Sequence, residues 1–194
     1  MKRNILVIVL ALVGFIQIQS SGYGHVFIQK NNEADSLGVL ISKIDFNLKA
    51  TKEDLKIFDD GIIPWISINK PGKNIDSLIG ADEIVLPFSE VTLIIDYPLT
   101  NKASFDISTA GKGFSRKQLI RIISKKYHEI YKKEEKTAKA KTVPVDKRDS
   151  LLNRKQTDGK YGIWGHDLSD LDLGSIDVYK NDDGKIYLIL DIES

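Results

Sequence analysis

The chain has 194 residues, 42% of them hydrophobic and 28% charged, with a formal net charge of +1. That length carries one ordinary domain with a small appendage, and that balance excludes an intrinsically disordered chain and argues against a dedicated nucleic-acid binder. There is no cysteine, which excludes disulfides, a thiol nucleophile and a lipidated cysteine, so stability must come from the core.

The chain opens with Lys2 and Arg3, followed by an uncharged apolar run of twelve residues from Ile5 to Ile16. A run that short falls below the roughly 20 residues a membrane span needs, but it suits the apolar region of a signal peptide. Gln17, Gln19, Ser20 and Ser21 form a polar exit, although Ile18 is not the small residue a cut after Ser20 prefers. We therefore read 1–20 as a signal peptide, cleaved between Ser20 and Gly24, and 21–194 as a single exported domain, periplasmic or secreted, with no stable membrane span after cleavage. The alternatives are an anchor that stays uncleaved and a buried N-terminal helix or strand.

Without Lys2 and Arg3 the balance is 26 basic to 27 acidic groups, unevenly spread. Residues 21–114 carry nine basic and thirteen acidic side chains, 115–160 fifteen and six, and 161–194 two and eight. The simplest arrangement places the basic and acidic segments near each other in the fold; the other is a basic face offered to anionic lipid or polysaccharide.

In chain order, His25 to Lys30 and Val39 to Leu48 read as strands joined by the polar turn at 31–36, with Leu40, Ser42, Ile44, Phe46 and Leu48 sharing one face. Thr51 followed by Asp54 is a capping-box spacing and opens a short helix or turn ending at Gly61. Pro64 breaks the strand Ile62–Ile68 or confines it to an edge. Lys70 to Lys73 is a turn, and Asp76–Ile79 one helical turn. Glu83–Pro87, Val91–Tyr97 and Ala103–Ser108 are strands, expected to form an antiparallel meander because no connection between them is long enough for a parallel crossover.

A long amphipathic helix is predicted over about 115–135. Ser115 is its N-cap, Gln118 completes a capping box, and Phe114 with Leu119 can form a hydrophobic staple. Leu119, Ile120, Ile122, Ile123, Tyr127, Ile130 and Tyr131 make the apolar stripe, while Arg116, Lys117, Arg121, Lys125, Lys132 and Lys133 occupy the rest. Residues 136–160 read as a basic, mobile connection, with helix able to persist to about Ala140. Two strands, Asp172–Lys180 and Lys185–Ile192, flank the turn Asn181–Gly184 and form a C-terminal β-hairpin. The expected class is α+β: an antiparallel sheet packed on one helix.

The stretch Trp164 to Asp172 concentrates the chemistry. It offers Trp164, His166, Asp167, Asp170 and Asp172 as candidate ligand-binding residues, and also reads as a plain turn in which Asp167 caps a helical turn, Leu168 and Leu171 face inward, and Trp164 plugs the core. Metal is not expected. Adjacent His166 and Asp167 seldom ligate together, no HExxH spacing exists, and His128-Glu129 meets Lys132 where a second histidine would be needed. Asn181 to Lys185 begins like a calcium loop but lacks the alternating carboxylates and terminal Glu. No G-x-S-x-G elbow is present. Thr109 to Ser115 resembles a phosphate loop without its frame, leaving only a helix N-terminus where phosphate could sit.

The stretches IDYPLT…GFSRKQLIRIISKKYHEIY and YGIWGHDLSDLDL, about a quarter of the chain, resemble a pattern in an uncharacterised family of small proteins. The likeness implies that the long helix and the Trp-His-Asp turn belong to one domain, and it carries no activity to transfer. The expected function is a non-enzymatic binding or interaction domain for an envelope or extracellular partner, without cofactor. The alternative is a hydrolase or metal-assisted enzyme built on the Trp164–Asp172 turn.

Overall fold

The computed structural model describes residues 37–148 and 155–194. They belong to one compact unit. The expected signal peptide, the strand at 25–30 and the turn at 31–36 lie outside the described residues. Chain order gives β1 (Val39–Asp45), β2 (Leu48–Lys49), β3 (Ile62–Ile63), β4 (Ile66–Ser67), β5 (Ile84–Leu86), β6 (Glu90–Ile95), β7 (Ala103–Ser108), β8 (Phe114–Ser115), α1 (Arg116–Thr137), β9 (Asp172–Lys180) and β10 (Ile186–Glu193). The fold is α+β.

The main sheet runs β1-β9-β10-β6-β7, with β4 paired to the start of β9. It is mixed, which corrects the all-antiparallel expectation. β6 pairs antiparallel with β7, and β9 with β10, but β10 lies parallel to β6, Leu188 beside Leu93. The C-terminal hairpin inserts between β1 and β6. The path from β6 to β10 passes through β7, α1 and β9, long enough to reverse direction. The apolar content of both strands fits interior positions: Val91 to Ile95 are all buried, and Ile186, Leu188 and Leu190 are buried along β10.

Helix α1 begins as its sequence dictates. Ser115 N–H donates to Gln118 Oε1 (2.8 Å) and Gln118 N–H donates to Ser115 Oγ (3.3 Å), a complete capping box. Leu119, Ile120, Ile123, Tyr127 and Ile130 are each 0% exposed and share the core with Leu93, Ile95, Val178 and Leu188. Thr51 and Asp54 likewise cap each other, through Thr51 N–H to Asp54 Oδ2 (2.9 Å) and Asp54 N–H to Thr51 Oγ1 (3.4 Å). In β1 the expected face holds for Ile44, which with Phe46 and Leu48 is buried, whereas Val39 to Ser42, around a bulge between Leu40 and Ser42, are exposed on both faces of the strand.

Basic and acidic segments do meet. Arg116 pairs with Glu83 (2.6 Å) and Lys117 with Asp82 (3.7 Å) beside the start of α1, and Arg148 pairs with Asp167. Among the described residues no helix is long and apolar enough to cross a membrane.

Candidate functional site

The site is built on a carboxylate that the fold buries. Glu134 follows Ile130 by one turn on the apolar stripe of α1 and is 0% exposed. Its Oε1 accepts from Thr157 Oγ1 (2.6 Å), Gly159 N–H (2.8 Å) and Gly162 N–H (3.2 Å), and its Oε2 from Tyr161 N–H (2.7 Å). Burial pushes the carboxyl up, but the bonds from Thr157, Tyr161, Gly159 and Gly162 outweigh it and hold the group below its ordinary range. Gly159 is needed for this approach, since a Cβ there would stand 2.7 Å from the Glu134 carboxylate. Gly162 has φ +63°, a left-handed backbone that aims its N–H inward.

The segment so gripped is stitched to the turn after β6. Thr100 N–H donates to Gly162 O (3.1 Å), Asn101 N–H to Tyr161 O (2.9 Å) and Trp164 N–H to Pro98 O (3.1 Å). Ile163, at 0% exposure, fills the core at this point. Trp164 does not. It is 38% exposed, which corrects its expected role as the plug: the residue before it goes in, and the indole points out.

Trp164 stands edge-on to Tyr97, with ring centroids 5.1 Å apart and planes at 80°. The His166 ring lies 5.6 Å from Tyr97 and 6.3 Å from Trp164. The backbone below is fixed at each ring. Gly165 (φ +70°) forms a γ-turn in which His166 N–H donates to Trp164 O (2.8 Å), Tyr131 Oη donates to His166 O (3.0 Å), and Tyr127 Oη donates to Tyr97 O (2.8 Å). Ser194 Oγ meets Tyr97 Oη at 2.8 Å, so the cluster sits where β6 and β10 end.

No protein family, curated protein or solved structure matches the chain.

The carboxylates of the stretch do not converge on His166. Asp167 faces Arg148, whose Nη2 lies 2.7 Å from Oδ2 with both side chains largely covered (14% and 18% exposed). Asp170 accepts from Asp167 N–H (2.9 Å) and from Ser169 Oγ (3.1 Å), closing the helical turn Leu168–Asp170 that the sequence leads one to expect. Leu171 is buried and Leu168 half-buried, as that turn requires. Asp172 lies opposite Glu193 in the β9–β10 register, and burial, then the Glu193 charge, raise its pKa. Among the described residues, no three His, Asp or Glu side chains are grouped to hold a metal ion.

A groove of about 600 Å³ opens at the other ends of β6 and β10, lined by Glu90, Thr92, Asp106, Asp183 and Lys185 among others, and it contains no residue of the Trp164 turn. A second, more open hollow of about 490 Å³ adjoins the turn that carries Tyr97, lined by Asp96, Leu99, Thr100, Asn101 and Lys102. Sequence reasoning missed Tyr97, Tyr131, Arg148 and Glu134. Only Glu134 left a usable trace: Ile120, Ile123, Tyr127, Ile130 and Glu134 continue one spacing of three and four, so a charge was due on the buried face.

Proposed function

We propose that this chain is an exported, non-enzymatic binding domain whose contact surface is the ring cluster Tyr97–Trp164–His166. The observation that carries the reading is the exposed indole. A tryptophan left 38% exposed on a backbone this firmly held is a rigid aromatic contact, costly to leave in water and pre-organised for a partner. The hydrolytic or metal-assisted alternative needs His166 and at least two carboxylates facing one open site. Here Asp167 is occupied by Arg148, and Asp170 by its own turn, which favours binding over catalysis.

The test uses the two tryptophans of the chain. In a ligand screen followed by two-dimensional NMR, binders should shift the Trp164 indole N–H signal and leave that of Trp65 in place. Binders that move only Trp65, or neither, would defeat the assignment. Export rests on the Lys2-Arg3 start and the uncharged run behind it. Replacing Leu10 with Arg should block secretion, since a charge in that run costs about 2.5–3.5 kcal/mol on insertion scales. Unchanged secretion of that variant would count against export by this segment.

A further inference from the structure

The basic and acidic segments meet over only part of α1. Arg116, Lys117 and Lys126 have carboxylate partners in Glu83, Asp82 and Glu129. Arg121, Lys125, Lys132 and Lys136 are all exposed, and among the described residues none of the four has an ion pair or a side-chain hydrogen bond. They stand four, seven and four residues apart. At about 100° per residue that spacing puts them within about 60° of one another around the helix axis, in a line about 22 Å long. Like charges one turn apart, as in Arg121 with Lys125 and Lys132 with Lys136, destabilise a helix. The acids that could relieve this are engaged elsewhere: Glu129 lies 2.9 Å from Lys126, Glu135 pairs with Lys141 (3.9 Å), and Glu134 is buried among its donors.

A hollow of about 400 Å³ opens at the first of these cations, lined by Arg121, Gln118, Thr109, Ser108 and Phe114 among others, and none of its lining residues is acidic. Its polar side chains have donors to offer. Gln118 Oε1 already accepts from Ser115 N–H, which leaves the amide NH2 group to donate. Thr109 Oγ1 accepts from Gly111 N–H and keeps its own proton. Asp106, two residues before Ser108, lies 3.8 Å from Lys185 Nζ. A guanidinium, an amide and hydroxyls around one hollow suit a unit that carries an anionic group together with hydroxyls.

We propose that the line Arg121–Lys125–Lys132–Lys136 is a second binding surface, for an acidic polysaccharide: one sugar unit enters the hollow beside Arg121, and the polymer runs along α1 with its carboxylate or sulfate groups meeting the cations one after another. The match is one of charge, a row of unpaired cations to a linear polyanion. Other polyanionic partners fit this face less well. Single-stranded nucleic acid is held by stacking its bases on exposed aromatic rings, and on α1 Tyr127 is buried and Tyr131 half-buried. An anionic bilayer is held stably when basic groups are joined by an apolar anchor, and no large apolar side chain of α1 is exposed. The proposal rests on export, which brings the surface to extracellular polymers, and is independent of the ring cluster.

The experiment titrates the purified protein with oligogalacturonate, a sulfated dextran oligomer, neutral dextran of the same length, oligothymidylate, and phosphatidylcholine vesicles containing phosphatidylglycerol. At least one acidic oligosaccharide should bind at low salt, weaken steeply as salt rises, and bind at least about tenfold more tightly than neutral dextran. Replacing the line as a whole (Arg121→Gln, Lys125→Gln, Lys132→Gln and Lys136→Gln together) should weaken that binding at least about tenfold and flatten its salt dependence. The same loss of charge at exposed lysines off the helix (Lys49→Gln, Lys52→Gln, Lys56→Gln and Lys73→Gln together) should change it less than about threefold. Arg121→Gln alone should give the largest loss of any single replacement, because it also removes the charge of the hollow, and thermal melts check that each variant folds. Equal loss in the two fourfold variants overturns the line as the site. Tighter binding of oligothymidylate or of the vesicles than of any acidic oligosaccharide, at the same salt, overturns the polysaccharide assignment. Absence of acidic-oligosaccharide binding at low salt overturns the proposal. A failure of export appears separately, as unchanged secretion of Leu10→Arg.

Discussion

Residues 157–163 and 164–170 are consecutive, and they invert each other's rule. In the first stretch a carboxylate from α1 is taken out of water and surrounded by donors; in the second an indole is left in water. Burying Glu134 is tolerable because its four hydrogen bonds replace its hydration and three come from backbone N–H groups that would otherwise need partners of their own. Exposing Trp164 is tolerable because Ile163 already supplies the apolar contact with the core. Polarity alone therefore says little about which side chain holds the fold here and which is available to a partner. The count of satisfied neighbours decides it.

The sharpest way to break this comparison is to remove the carboxylate. Glu134→Ala should cost about 3–5 kcal/mol in denaturant melts, because it strands several buried donors at once. Glu134→Gln should recover only part of this, since the amide turns donors toward donors. The pH dependence has a definite sign. The folded pKa of Glu134 lies below its ordinary value, so its stabilisation is complete above the unfolded carboxyl pKa of about 4.3 and is lost as pH falls through the folded value. The parent should show this acid loss, and Glu134→Gln should show less of it. Equal acid sensitivity in both would remove Glu134 as the source.

Next in size is the buried neighbour of the indole. Ile163→Ala should cost about 2–4 kcal/mol, similar to Ile123→Ala on the buried face of α1. A neutral Ile163→Ala would mean that the 157–163 segment is held by its hydrogen bonds to Glu134, Thr100 and Asn101 and not by apolar burial.

How much of this was legible follows from the range of the interactions. The start of α1 was readable because a capping box is local: Ser115 and Gln118 lie three residues apart, and the structure joins them as expected. The same holds for Thr51 with Asp54 and for the turn closed by Asp170 on Asp167. The parallel placement of β10 beside β6 was not readable, because it depends on where a distant hairpin inserts and neither strand records its neighbour. Glu134 lies between, since its position on the stripe is local but its partners, Thr157 to Gly162, are set by the return of the chain. Trp164 was misassigned for a related reason. Size and hydrophobicity marked it as the plug, whereas the left-handed glycine at 162 sends Ile163 inward and the next side chain outward.

Ser115→Ala should cost about 1 kcal/mol, the usual worth of a lost N-cap. It probes a part of the fold remote from the 157–170 comparison and calibrates the scale, and thermal or denaturant melts suffice. A cost near that of Ile163→Ala would show that Ser115, itself only 6% exposed, contributes more than its cap.

The largest side chain should give one of the smaller effects. Trp164→Ala removes an indole that is already 38% in solvent and whose backbone N–H still reaches Pro98 O after substitution. What is lost is the edge contact with Tyr97 at 5.1 Å, the contact with His166 at 6.3 Å and the burial of the covered part of the ring, and an aromatic pair contributes about 0.5–1.5 kcal/mol beyond that burial. We therefore expect Trp164→Ala to cost about 1–2 kcal/mol, below Ile163→Ala, although it deletes more than twice as many heavy atoms. A double-mutant cycle with Tyr97→Leu isolates the ring–ring term: the two losses should be non-additive by about 0.5–1.5 kcal/mol. If Trp164→Ala instead costs as much as Ile163→Ala, the indole is part of the core and the contrast between the two stretches disappears. If it costs little and also abolishes ligand binding, exposure at this position is the functional feature that the buried carboxylate next to it holds in place.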